Sequence, residues 1–176
     1  MYRRPMIVIV NGPIGIGKSS LGEALSESIE NCVHIDGDRI AAANPPPDDE
    51  IEFLHSTICV LVPHLQRYGY RHFVINHYWE SPDAIADLER RIRKLDPAQK
   101  FRRFLLTLPM DQNLERIRRR QSARAIDELQ SELRIVEEER QVLKAWPSSE
   151  PDEIVDVSAP LDVLVSGLLE TLRADL

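Results

Sequence analysis

Residues Gly12 to Ser19 read Gly-Pro-Ile-Gly-Ile-Gly-Lys-Ser and satisfy G-x-x-x-x-G-K-[ST] at every specified position. A loop that wraps phosphate must turn successive backbone N–H groups inward, and residues without Cβ permit those dihedrals and that approach. Gly12, Gly15 and Gly17 stand where this is needed, with Pro13, Ile14 and Ile16 completing the loop. The Lys18 side chain can reach β- and γ-phosphates, and the Ser19 hydroxyl can ligate Mg²⁺. Ser20 follows in the first turn of a helix whose N-terminal dipole favours the anion. A second chemical feature is Asp36-Gly37-Asp38. Two carboxylates can divide the labour of phosphoryl transfer, one holding water on the metal and the other accepting a proton from a hydroxyl. On sequence alone Asp-Gly is also an ordinary turn pair; its place one strand after a phosphate loop favours chemistry.

Both features need strands to carry them. Ile7 to Val10 is a β-branched run ending at Asn11-Gly12, and Leu21, Leu25 and Ile29 repeat at helical spacing behind the loop. Cys32 to Asp36 reads as a second strand. In an open parallel sheet ligands bind beyond the carboxyl ends of strands, where Asp36 and Asp38 fall. Tyr70 to Trp79 reads as the third strand, Phe101 to Leu108 as the fourth and Glu153 to Ser158 as the fifth. Between them come helical stripes: Ile51, Leu54, Ile58, Leu61 and Leu65, with Pro63 expected to kink or end the helix; Ile85, Leu88, Ile92 and Leu95 behind a Ser81 N-cap; a helix capped by Asp111; a long helix through Ile126, Leu129, Leu133, Val136 and Leu143; and Leu161, Leu164, Leu168 and Leu172. Five strands alternating with helices give an α/β three-layer domain with a parallel sheet, one domain over residues 1–176.

The phosphate loop in this strand–helix context resembles that of the P-loop NTPases. The Asp36-Gly37-Asp38 element narrows the resemblance to the small-molecule kinases of the gluconate kinase, shikimate kinase and adenylylsulfate kinase group. The resemblance implies strand order 2-3-1-4-5, an acceptor-binding insertion over about 39–69 and a lid over about 116–127. It implies Mg-ATP in the loop, Asp36 organising the metal's waters, and Asp38 contacting the acceptor hydroxyl as base. Arg116, Arg118, Arg119, Arg120 and Arg124 cluster after the fourth strand. They are either a basic helix surface paired with neighbouring acids or the lid, and phosphoryl transfer favours the lid. By similarity Arg116 or Arg120 meets adenine and Arg124 reaches phosphate in the transition state. The third strand exits at Asn76 where many P-loop enzymes carry a metal-binding aspartate, and whether Asn76, His77, Tyr78 and Trp79 touch the acceptor stays open.

These readings make the chain an ATP-dependent phosphotransferase acting on a hydroxyl of a small-molecule acceptor. A nucleotide kinase, with Arg39 holding a phosphate acceptor, and a regulatory ATPase without an acceptor are the rivals. A net charge of −7 argues against a general nucleic-acid binder, and no stretch reaches membrane-spanning length. Two cysteines, Cys32 and Cys59, are too few for a disulfide framework. The expectation is a cytoplasmic protein, monomeric or homodimeric.

Overall fold

The computed structural model describes residues 5–120, 126–146 and 152–175. Five strands are present: β1 (Met6–Asn11), β2 (Cys32–Asp36), β3 (His72–Asn76), β4 (Lys100–Thr107) and β5 (Asp152–Asp156). They form one parallel sheet in the order β2-β3-β1-β4-β5, with β1 at its centre. Every residue of β1 is buried, which is why it reads as an unbroken apolar run and not as an alternation.

The pleat divides that run between two cores. Met6, Val8 and Val10 face α1 (Lys18–Ser28) and α7 (Leu161–Leu172), meeting Leu21, Leu25, Val165, Leu168 and Leu172. Ile7 and Ile9 face the other way, toward α3 (Glu50–Gln66) and α4 (Pro82–Leu95), and pack with Leu54, Ile58, Val62, Ile85, Leu88 and Ile92. The result is a three-layer α/β domain. The remaining helices, α2 (Gly37–Ala41), α5 (Met110–Arg120) and α6 (Ile126–Lys144), belong to the carboxyl-end side of the sheet or follow from it.

Local signals set most boundaries. Asp49 caps α3 by accepting from the Glu52 N–H at 2.9 Å, and Ser81 caps α4 by accepting from the Ala84 N–H at 3.2 Å. Several expectations shift. The third strand is His72–Asn76, shorter than Tyr70 to Trp79, because Trp79 leaves the ladder to fill the core while Tyr70 is exposed. The α3 helix continues through Pro63 to Gln66. Asp111 lies within the first turn of α5 instead of capping it. Leu95 is 56% exposed, because α4 ends at that residue and the chain turns at Asp96. Leu161 is 42% exposed, because as the first residue of α7 it opens onto a cavity and Val165 takes the inward place. Among the described residues no helix is long and apolar enough to cross a membrane.

Candidate active site

The loop after β1 is built on glycine conformations. Gly15 and Gly17 have φ of +75° and +109°, in the left-handed region that side chains disfavour. A Cβ on Gly15 would lie 2.2 Å from Ile117 Cγ1, so α5 packs directly against the loop. Lys18 opens α1 and is nearly buried; its Nζ donates to the Gly12 carbonyl at 2.9 Å and the Pro13 carbonyl at 3.3 Å. Burial pushes the Lys18 ammonium down, and although Asp38, Glu139 and Asp36 push back, it stays below its ordinary value.

Side chains from distant elements hold the loop from outside. Asn113 Nδ2 donates to the Ile14 carbonyl at 3.1 Å. Arg116 donates through Nη1 to the Ile16 carbonyl at 2.7 Å and through Nη2 to the Val157 carbonyl at 2.6 Å, tying the loop to the exit of β5. Glu139, on α6, accepts from the Ile14 N–H at 2.5 Å. At the loop's root, Asn11 Oδ1 accepts from the Gly12 N–H at 2.8 Å and the Trp79 N–H at 3.0 Å, while Asn11 Nδ2 donates to the Trp79 carbonyl at 3.1 Å. This side chain fastens the β1 exit to the β3 exit. Trp79 is itself fixed by donating Nε1–H to His55 Nε2, which leaves His55 Nδ1 to donate to Asp87. His55 is therefore a core residue that fixes Trp79.

The parallel pairing of β2 with β3 sets Asp36 beside Asn76 and brings the residues that follow them together. Asp36 caps α2, its Oδ1 accepting from the Asp38 N–H at 3.1 Å. Asp38 Oδ1 lies 2.8 Å from His77 Nδ1. A carboxylate only accepts, so this His77 nitrogen carries the proton. Burial pushes the Asp38 carboxyl up, but the His77 hydrogen bond and the charges of Lys18 and Arg120 outweigh it and hold the group below the ordinary aspartate value. Asp38 is thus ionised at neutral pH. The side chain of Asn76 is fully buried with its Oδ1 against His34 Nε2.

Two cavities meet over these groups. One, of about 760 Å³, is lined by Ile14, Gly15, Ile16, Gly17, Lys18, Ser19, Ser20, Asp36, Asp38, Arg116 and Arg120, so it gathers most of the residues that sequence singled out. Gly12 and Pro13 do not line it; they offer their carbonyls to Lys18 behind it. The second, of about 920 Å³, extends from Lys18 and Asp38 toward His77, Tyr78, α3 and α6. Arg120 at the first cavity's edge donates to Glu132 at 2.8 Å, and Arg119, outside, pairs with Glu115. Arg124 and the adjoining lid segment lie outside the described residues.

Several site residues carried no sequence signal strong enough to find them. His77 was legible only as the residue after the third strand; its contact with Asp38 depends on the β2–β3 register. Glu139 and Asn113 sit on helices where an acid or an amide reads as ordinary surface, and only tertiary packing aims them at the loop. Of the four residues left open at the β3 exit, His77 and Tyr78 line the second cavity, whereas Trp79 and Asn76 are core.

The residue chemistry fits a magnesium-bound nucleoside triphosphate. Ser19 and Asp36 are hard oxygen donors on one cavity wall, and Mg²⁺ on phosphates uses few protein ligands of that kind. Gly15 and Gly17 supply the cradle, and Lys18 the adjacent cation.

No protein-family model matches the chain, and no curated protein matches it. Solved structures do. A gluconokinase from Sinorhizobium meliloti 1021 is 20% identical with a TM-score of 0.62, covering 98% of this chain and 98% of that chain. The tunicamycin resistance protein of Deinococcus radiodurans is 17% identical with a TM-score of 0.66, over 97% of this chain and 96% of that one. A shikimate kinase from Bacteroides thetaiotaomicron is 15% identical with a TM-score of 0.58, over 96% and 98%. Over 96–98% of its length the chain shares the fold of these proteins, a three-layer α/β fold that here has its parallel sheet ordered 2-3-1-4-5.

Proposed function

We propose that the protein transfers the γ-phosphoryl group of Mg-ATP to a hydroxyl of a small-molecule acceptor. The single observation that carries this reading is that the two cavities share Lys18 and Asp38. A phosphate-binding cation and an ionised carboxylate stand where a nucleotide on one side would meet an acceptor on the other. A regulatory ATPase has no use for the second cavity.

In the reaction, the acceptor oxygen forms a bond to the γ-phosphorus, the bond from that phosphorus to the β–γ bridging oxygen breaks, and ADP leaves. The hydroxyl proton passes to the Asp38 carboxylate, which His77 orients through its Nδ1–H. Residues Gly12 to Ser20 hold the phosphates, and Lys18 leaves its carbonyl partners to meet them. Ser19 and Asp36 would hold Mg²⁺, which would supply positive charge to the polyphosphate. Arg116 keeps the loop in shape from the nucleotide side, Arg120 adds charge there, and Arg124 supplies charge to the transferring group from the lid. A cytoplasmic setting, and action as a monomer or homodimer without nucleic acid or membrane, complete the reading.

Lys18→Ala tests the nucleotide half. Calorimetry should show Mg-ATP binding to the wild type and binding weakened at least tenfold in the variant, with the unfolding transition retained. Equal affinity in both proteins would remove the loop from the nucleotide site.

A further inference from the structure

The two cavities differ in charge in a way that selects between acceptors. On the nucleotide side four cations, Lys18, Arg39, Arg116 and Arg120, stand against three carboxylates, Asp36, Asp38 and Glu132, a balance that suits a polyphosphate with its metal. The acceptor cavity is lined by five carboxylates, Asp38, Glu50, Glu80, Glu138 and Glu139, against one lysine or arginine among the described residues, Lys18. That lysine is turned into the phosphate loop.

Two of the carboxylates are already engaged: Asp38 with His77, and Glu139 with the Ile14 N–H. Glu50 lies 3.8 Å from the far ring nitrogen of the same histidine. Glu80 and Glu138 are exposed on the rim, and no ion pair reaches either among the described residues. The nearby arginines do not relieve this charge. Arg140 on α6 turns to Asn113 at 3.4 Å, and Arg39 is exposed beside Asp36. The Tyr78 hydroxyl registers the same field: burial, then Glu139 and Glu80, push its pKa up to about 12. Between the acids the wall is apolar, with Ile51, Ala84, Ile135 and Val142.

We infer that the acceptor is a hydroxyl compound bearing a protonated amine, its hydroxyl at Asp38 and its cationic end at Glu80 and Glu138. This rests on the phosphotransferase reading, which places the hydroxyl at Asp38; the acids then decide what the rest of the molecule carries. A sugar acid or a nucleoside monophosphate would bring negative charge into a cavity with no described arginine to receive it, which is unfavourable at any effective dielectric. A bare metal ion is a poorer occupant. The acids are spread along the walls, and among the described residues no group of three such side chains converges as a metal site. Spread acids around apolar patches suit an organic cation with an apolar or hydroxylated body.

The test uses three probes of nearly one size and different charge: glucosamine, glucose and gluconate. Each is titrated by calorimetry into the full-length protein saturated with Mg-ADP. The expected order is glucosamine, then glucose, then gluconate, with glucosamine on the order of tenfold tighter than glucose at low salt and the gap closing as ionic strength rises. Glu80→Gln combined with Glu138→Gln should remove most of that gap and leave Mg-ADP affinity unchanged; both residues are exposed, so the fold tolerates the change. Gluconate binding as well as glucosamine, no discrimination among the three, or a preference that survives the double variant would each overturn the inference. Failure of Mg-ADP itself to bind is a separate result, and it would overturn the phosphotransferase reading instead.

Discussion

Arg116 separates two roles that one residue could have. Resemblance to small-molecule kinases would set Arg116 or Arg120 against adenine, whereas the Arg116 guanidinium donates to two carbonyls, Ile16 at 2.7 Å and Val157 at 2.6 Å. Arg116→Ala removes both donors at once. A hydrogen bond from a charged group contributes about 1.5–3 kcal/mol. The side chain is half-buried, so each carbonyl can recover water and the pair together should be worth about 1.5–3 kcal/mol. For a chain of this size that lowers the thermal midpoint by about 3–12 °C. The loop loses its tie to the β5 exit, and nucleotide affinity should fall by roughly tenfold, equivalent to about 1.4 kcal/mol. The assay is a melting curve of the nucleotide-free protein beside calorimetry with Mg-ATP. A strut predicts losses in both. An unchanged midpoint with weakened nucleotide binding would show that Arg116 acts on the ligand alone, and the structural reasoning would be refuted.

Two further variants probe the same loop. Gly15→Ala combines a φ of +75° with a Cβ placed 2.2 Å from Ile117 Cγ1, so the left-handed penalty and the overpacking should together cost about 2–5 kcal/mol in chemical denaturation; Gly167→Ala, on α7 with nothing within 4 Å, should instead stabilise by about 1 kcal/mol, and similar effects at the two sites would contradict the packing described. Burial holds the Glu139 carboxyl above its usual value, with the Ile14 hydrogen bond and Lys18 only partly offsetting it. Its charged form therefore costs the fold at neutral pH and costs nothing below the ordinary glutamate value, where folded and unfolded chains both carry the proton. Glu139→Gln should raise the melting temperature at pH 7, lose that gain as pH falls to about 4, and tighten Mg-ATP binding by removing a negative charge beside Ile14; a destabilised variant at pH 7 would contradict this.

How much of the molecule could be read in its sequence depends on the range of the forces involved. Strand β1 announces itself because burial on both faces leaves no polar position from Met6 to Val10. The phosphate loop is equally legible, since its backbone demands glycine at fixed spacing. Asp36 and Asp38 follow from strand geometry. Element ends are less legible: Trp79 looks like strand, yet its indole is pulled into the core by His55 and its backbone is held by Asn11. Arg116 and Glu139 show the limit. An arginine in a run of arginines, or a glutamate in an acidic helix, acquires a distinct task only when the fold delivers a loop carbonyl or amide to it. The acidity of the second cavity was hidden for the same reason, its carboxylates coming from α2, α3, α6 and the β3 exit.

The central claim is tested most directly by phosphoryl transfer in Asp38→Asn. The variant keeps the shape of the side chain and loses its capacity to take a proton. With γ-labelled ATP and an acceptor that the wild type phosphorylates, labelled product should fall by at least a hundredfold, while calorimetric affinity for Mg-ATP changes little. Asp38→Asn with near-normal turnover would contradict the account: the carboxylate shared by the two cavities would not be the base.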